Sequence, residues 1–150
     1  SGVAADKNVA KIRVAGLGND PDSTFRLLNV LDKNNLNIDV MIQSLGKDGT
    51  KSVSFTVAKP DLLRALDLLN DNKDYLGIKK LDSDEKVAKV SVIGAGIRSH
   101  SGVAAKMFGA LASIGVNTEM VTTSEIRITV LIDEEYTDLA MRKLHETFIN

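Results

Sequence analysis

The amino-acid sequence predicts an α+β fold of two βαββαβ modules, the first inserted into the second. Three observations carry that expectation. A strand–turn–helix pattern occurs twice: Lys11–Gly16 (KIRVAG) matches Lys89–Gly94 (KVSVIG) 78 positions on, and Asn37–Gln43 (NIDVMIQ) matches Asn117–Thr123 (NTEMVTT) 80 positions on. A near-constant offset marks duplicated units. Each copy continues with two strand patterns and a helix pattern, but the second copy reaches Asn150 without a last strand. The apolar segment Gly2–Ala5 precedes the first copy and is expected to supply that strand, because a bare sheet edge invites mispairing. The expected division is residues 7–83 for the first module and 84–150 for the second, with 1–6 lending a strand to the second.

In the first module Lys11–Ala15 reads as a strand, and Gly16–Pro21 as a turn. Asp22–Lys33 reads as a helix with Phe25, Leu28 and Leu31 on one face, Leu27 beside them and Asn34-Asn35 at its end. Leu36–Gln43 and Ser52–Val57 read as strands joined by the hairpin turn Gly46-Lys47-Asp48-Gly49. Pro60-Asp61 opens a helix expected to bury Leu62, Leu63, Leu66 and Leu69, and Leu76–Leu81 completes the module as a short strand. Asp82–Glu85 reads as a solvated linker.

In the second module Val90 and Val92 alternate with Lys89 and Ser91, a half-buried strand. Gly94 and Gly96 break it. Val103, Met107, Leu111 and Ile114 then follow at helical spacing, with Ala104, Phe108 and Ala110 widening the stripe and Gly115 placed to cap it. Val116–Thr123 and Ile126–Ile132 are strands around Ser124-Glu125. Asp133 caps a last helix through Tyr136, Ala140, Leu144 and Phe148. Two helices on one face of a four-stranded antiparallel sheet is the ferredoxin-like plan, which hosts many functions.

Composition narrows the class. The 150 residues carry 19 basic and 20 acidic side chains, so no basic excess points to nucleic acid or an anionic membrane. No apolar run approaches the length of a membrane span, and no signal peptide is visible. Cysteine is absent, which excludes disulfides and thiolate chemistry and fits a cytoplasmic location. Of the two histidines, His145 reads as a solvated helix residue, and His100 has no cysteine or carboxylate cluster beside it to form a metal or acid–base site. The Gly94-x-Gly96 turn lacks the third glycine of a dinucleotide fingerprint and leads into a hairpin, not a parallel βαβ unit. No catalytic residue, metal or cofactor is expected.

What remains is binding. Ser99, His100, Ser101, Gly102 and Val103 lie where the second module's first helix begins, and free backbone N–H groups there can hold a carboxylate. Thr122-Thr123-Ser124-Glu125 reads either as a plain hairpin turn or as part of a ligand site near that turn. Asn37 and Asn117 open equivalent strands, which points to a shared geometric task.

Arg98–Phe108 (RSHSGVAAKMF), Thr123–Asp133 (TSEIRITVLID), Leu144–Phe148 (LHETF) and Gly2–Asn8 (GVAADKN) resemble the C-terminal regulatory region of aspartate kinase, and the resemblance extends over essentially the whole chain. It implies tandem ACT domains, ferredoxin-like modules that bind amino acids. It implies a regulatory fragment or separate β subunit, inactive by itself, whose partner is the kinase domain or catalytic subunit that phosphorylates aspartate with ATP. That step leads to lysine, threonine and methionine, and family members are feedback-inhibited by lysine, threonine or both. The effectors lie between a first-module turn and the second module of a partner chain, so a homodimer is implied. In the second module Ser99, His100, Gly102, Val103, Asn117, Thr118 and Ser124 match the family's pocket, although Ser101 stands where proline is usual. In the first module Asn37, Ile38 and Gln43 match. The first turn departs: Asn19 takes the place of an aspartate, Asp20-Pro21 follows, and Asp22, ahead of Ser23, takes the place of a glycine. Lysine is the favoured effector, its far ammonium facing Asp20 or Asp22 across the interface; threonine would use the smaller pocket near Gln43. The alternatives are a dimerisation module without effector binding and a small enzyme on the same fold.

Overall fold

The computed structural model describes residues 2–94 and 100–149. The chain forms two compact units, one made of residues 8–85 and the other of 1–7 with 86–150. Each contains one four-stranded antiparallel sheet with helices packed on it.

In the unit of residues 8–85, β2 (Val9–Leu17) and β4 (Lys51–Ala58) are central, flanked by β3 (Met41–Leu45) and β5 (Lys80–Asp84), in the order β3-β4-β2-β5. The other unit repeats the plan with β1 (Gly2–Asp6), β6 (Val87–Ile93), β8 (Arg127–Asp133) and β7 (Glu119–Thr123), in the order β1-β6-β8-β7. Strand β1 pairs with β6 in a continuous register from Gly2↔Ile93 to Asp6↔Lys89. It holds the place that β5 holds in the other sheet, so the 8–85 unit is inserted into the other module.

Helices cover one face of each sheet. In the first unit α1 (Pro21–Lys33) and α2 (Leu62–Asp71) close over Ile12, Val14, Val53 and Phe55. In the second, α4 (His100–Ser113) and α5 (Thr137–Phe148) close over Val90, Val92, Ile128 and Val130. With no tryptophan and four phenylalanines, both cores are built mainly from aliphatic side chains. Among the described residues, no helix is long and apolar enough to cross a membrane.

Several elements differ from expectation, each for a local reason. The first strand continues past Ala15 to Leu17 through a bulge at Gly16, whose φ is +79°. Only glycine fits there, because a Cβ would strike the side-chain stem of Lys79. On α1 the buried positions are Ser23, Leu27 and Leu31, spaced four apart, while Phe25 points outward at 64% exposed. On α2 the buried stripe is Leu62, Ala65 and Leu69, which turns Leu63 to solvent at 75% exposed. Pro60-Asp61 belong to a 3₁₀ turn, Lys59–Asp61, ahead of the α-helix.

The expected strand at Leu36–Gln43 begins only at Met41. Leu36 instead folds back on the preceding helix, its N–H donating to the Leu31 carbonyl at 2.9 Å. Ahead of Met41, Asp39 and Val40 together oppose Thr56, whose carbonyl accepts from Asp39 and whose N–H donates to the Val40 carbonyl, while its hydroxyl takes the left-over N–H of Val40 at 3.0 Å. Its counterpart, Val116–Thr123, also starts late, at Glu119, and carries a bulge at Met120, whose φ is +46°. The expected strand Leu76–Leu81 splits: Lys73–Leu76 is a short helix α3 closed by Gly77 at φ +74°, and β5 follows. Asp82–Glu85 is therefore no linker, since Asp82, Ser83 and Asp84 pair with Arg13, Ile12 and Lys11. Acidic residues opposite basic ones suit an edge strand.

The β3–β4 hairpin turns where expected. Gly49 donates to the Gly46 carbonyl, and the Asp48 carboxylate accepts from the backbone N–H (3.0 Å) and hydroxyl (2.8 Å) of Thr50. Those two bonds, to the charged form, hold the Asp48 acid below the ordinary carboxylate range. A depressed folded-state value means the turn gains support above the unfolded value and loses it as pH falls through the folded one. Acidification is therefore expected to raise hydrogen exchange at the Thr50 amide, beyond the intrinsic pH effect, and Asp48→Asn is expected to remove that response; exchange monitored by NMR checks both.

Candidate functional site

The two helix starts that the repeat makes equivalent are built differently. At the first, Asp20 sits in extended backbone as the N-cap of α1, and its carboxylate accepts from the N–H groups of Asp22 and Ser23, both at 2.9 Å. Pro21 follows, supplying a fixed φ where no N–H is needed. Ser23 is fully buried, its hydroxyl donating to the Gly18 carbonyl at 2.7 Å. The α1 terminus is thus filled by the chain's own carboxylate. Asn19 and Asp22 are exposed beside it.

A lysine holds this turn from behind. The Lys51 ammonium donates to the Asp20 carbonyl at 2.9 Å and to the Thr24 hydroxyl at 3.2 Å, while only 8% of the residue is exposed. The Thr24 hydroxyl in turn donates to the Gln43 side chain. Gln43 thereby joins Asn19, Asp20, Asp22 and Ser23 at one end of α1. Lys51 was absent from the expected set, although the alternation of Lys51, Val53, Phe55 and Val57 along one strand carries the signal: it places the lysine on the core face.

Asn37 and Ile38 lie at the other end of α1. They line a cavity of about 280 Å³ together with Leu28, Leu31, Asp32 and Leu36. From Ser23 to Asp32 the helix axis advances roughly 14 Å, so the first-unit candidates fall into two groups. Asn37 and Asn117 do share a setting. Each follows a helix whose chain reverses at a positive-φ residue, Asn35 (56°) or Gly115 (73°). The next residue then donates back to the helix, Leu36 to Leu31 and Val116 to Leu111. The duplication is thus visible in individual hydrogen bonds.

At the second helix start, Ser99 lies outside the described residues and His100 is the first residue of α4. Ser101 and Gly102 occupy the exposed first turn, and Val103 is half-buried against the core. No acidic side chain stands in that first turn, in contrast to α1. Asn117 is exposed and Thr118 half-buried just ahead of β7. Ser124 closes the β7–β8 hairpin, its N–H donating to the Arg127 carbonyl at 2.8 Å, with its hydroxyl 3.5 Å from the same oxygen. His145 is exposed on α5. Among the described residues no group of three or more His, Asp or Glu side chains is arranged to hold a metal ion.

A family model described as ACT domain matches residues 90–148. The chain is 38% identical over 148 residues to an aspartokinase of Pseudomonas aeruginosa and 39% identical over 149 residues to one of Helicobacter pylori. It spans 36% of the length of each of these curated relatives. Among solved structures, it resembles a chain of the crystal structure of aspartokinase alpha and beta subunits, with a TM-score of 0.93 and 43% identity over 100% of this chain and 99% of that one. It also resembles the ligand-free regulatory subunit of aspartate kinase from Thermus thermophilus, with a TM-score of 0.91 and 35% identity over 99% and 97% of the two chains.

The self-capped turn has a measurable worth. Asp20→Ala is expected to lower unfolding stability by about 1 kcal/mol, the usual cost of losing a carboxylate N-cap, and Asp20→Asn by less. Urea denaturation of the three proteins checks this.

Proposed function

The chain belongs to the aspartokinase family and corresponds to its tandem-ACT regulatory region; on that premise we propose that it binds an end-product amino acid and couples that binding to aspartate phosphorylation by a kinase domain or catalytic subunit. The observation that carries this reading is the whole-length likeness to a regulatory subunit of aspartate kinase. A ligand regulates only by binding two states of the assembly with different affinity. An effector shared between modules of two chains of a homodimer would supply that difference. Both sheets offer edges for such contacts: Met41 and Leu45 are exposed on β3, and Val121 on β7, with Ile126 in the turn that follows.

The difference in acidic side chains between the two helix starts favours α4 over α1 as the seat of an effector's carboxylate. A free amino acid brings a carboxylate, which is favoured at the positive end of a helix dipole. At α1 the Asp20 carboxylate already takes that place. At α4, Ser101, Gly102 and Val103 form a first turn with no acidic competitor. In this reading, carbonyl groups around Asn117-Thr118 accept from the effector's ammonium, and Ser124 meets its side chain. Lysine is favoured over threonine because the exposed Asp22 of a partner chain can face its second ammonium; Asp20, engaged with its own helix, is the weaker candidate for that contact. Ser99, His100, Asn19, Ser23, Asn37, Ile38 and Gln43 complete the proposed effector set through the family pattern.

Calorimetric titration of the chain with lysine and with threonine tests this reading. Saturable binding of lysine is expected. Gly102→Asp, which sets a bulky carboxylate in the α4 turn, is expected to weaken it at least about tenfold, or about 1.4 kcal/mol. His145→Ala is expected to leave it unchanged. Wild-type affinity in Gly102→Asp would remove the site from α4, and no binding of either amino acid would leave a module that only dimerises.

A further inference from the structure

The open face of the first unit's sheet carries a second feature, on the side of the sheet away from the helices. A cavity of about 520 Å³ lies where the β2 bulge, the β3–β4 hairpin and the entry to β5 meet, and three cations line it, Arg13, Lys47 and Lys79; Lys51 lines it too, but its ammonium is turned to the core side, toward Asp20 and Thr24. Its single acidic lining residue is Asp48, whose carboxylate is already occupied by Thr50. Among the described residues Arg13 pairs with Asp82 at 3.9 Å, and Asp82 is shared with Lys80 at the same distance. Around this space, three positive charges therefore face one engaged lining carboxylate and one shared neighbour, in a chain whose net charge is −1.

The backbone is shaped to keep the cations there. Gly16 lets the stem of Lys79 cross directly over the β2 bulge, and the Lys79 N–H is fixed to the Ala15 carbonyl at 2.9 Å. Thr50 and Ser52 add hydroxyl groups to the lining. The volume falls in the range of small-molecule sites, but the lining is basic and hydroxylic instead of mainly apolar. An amino-acid zwitterion carries no net charge and brings its own ammonium into this field, so it gains less from these cations than an anion of charge about −2. Nucleic acid would need cations tracking along a surface, and these converge on a concavity.

We propose that this cavity binds a small molecule through a phosphate or diphosphate group, with the Arg13 guanidinium and the Lys47 and Lys79 ammonium groups as its charged contacts. Guanidinium and ammonium donors to an ionised phosphate give the short, charge-assisted bonds that such a ligand needs.

Titration of the ¹⁵N-labelled chain with pyrophosphate tests the proposal. Saturable shifts are expected at the amides of Gly16, Gly46, Thr50 and Ser52, with a Kd on the order of 1 mM or tighter. The double variant Lys47→Gln/Lys79→Gln is expected to bind at least about tenfold more weakly at unchanged melting temperature, while Lys33→Gln on α1 binds like the parent. Lysine added as an effector is expected to leave these amides unmoved, so the result stands whatever happens at α4. Absence of saturable shifts, equal affinity in the double variant, or citrate binding as tightly with the same shifts would each overturn the phosphate assignment.

Discussion

The pairing of β1 with β6 is the contact on which the rest of this structure depends. Five residues at the start of the chain align with Ile93 to Lys89 and give the second sheet its fourth strand. Without them β6 would become an edge, with a row of N–H and C=O groups open to the wrong partner. The same segment places Val3 against the second core, beside α5. The other module has no such need, because β5 follows its own helices and pairs with β2 in sequence order. Two sheets of one topology are therefore closed by different chain connections, and that difference is what nests one module inside the other.

Nesting leaves the two modules free to diverge at the places where the repeat made them alike. Their helix ends are still equivalent: a positive-φ residue and a bond back to the helix precede Asn37 and Asn117 alike. Their helix starts are not. At α1 an aspartate caps the helix, and a nearly buried lysine ties the turn to β4. An N-terminus occupied by its own carboxylate is a stabilising cap; one without an acidic side chain can accept a ligand's carboxylate. That difference in acidic side chains is the one on which the proposed effector site at α4 rests.

Much of this was legible in the sequence, because it rests on periodicity. The stripe Val103, Met107, Leu111 and Ile114 needs only helical spacing, and the missing last strand follows from comparing the two copies. The failures came where several answers satisfied the same pattern. Among Leu62, Leu63, Leu66, Leu68 and Leu69 hydrophobicity alone cannot select a face, and packing over Phe55 and Ile12 chose one that leaves Leu63 outside. At Asp39-Val40 two residues oppose the single Thr56, whose hydroxyl takes the spare N–H, and no period announces that. Asp82-Ser83-Asp84 looks like a linker until the basic residues of the neighbouring strand are set opposite it. The candidate site was legible as a list of residues more than as a geometry. The list did not reveal that Asp20 faces inward to its own helix, that Asn37 and Ile38 sit at the far end of α1, or that Lys51 is buried behind the turn.

Hydrogen exchange on a chain lacking residues 2–6 tests the closure of the second sheet most directly. Antiparallel ladders alternate their bonds between the two neighbours, so a central strand gives about half of its amides to each side. The account predicts that roughly every second amide of Val87–Ile93 loses protection in the shortened chain, while β2 and β4 keep theirs. Unchanged protection along β6 would contradict it, because the second module would then be closed without the strand that nests the first inside it.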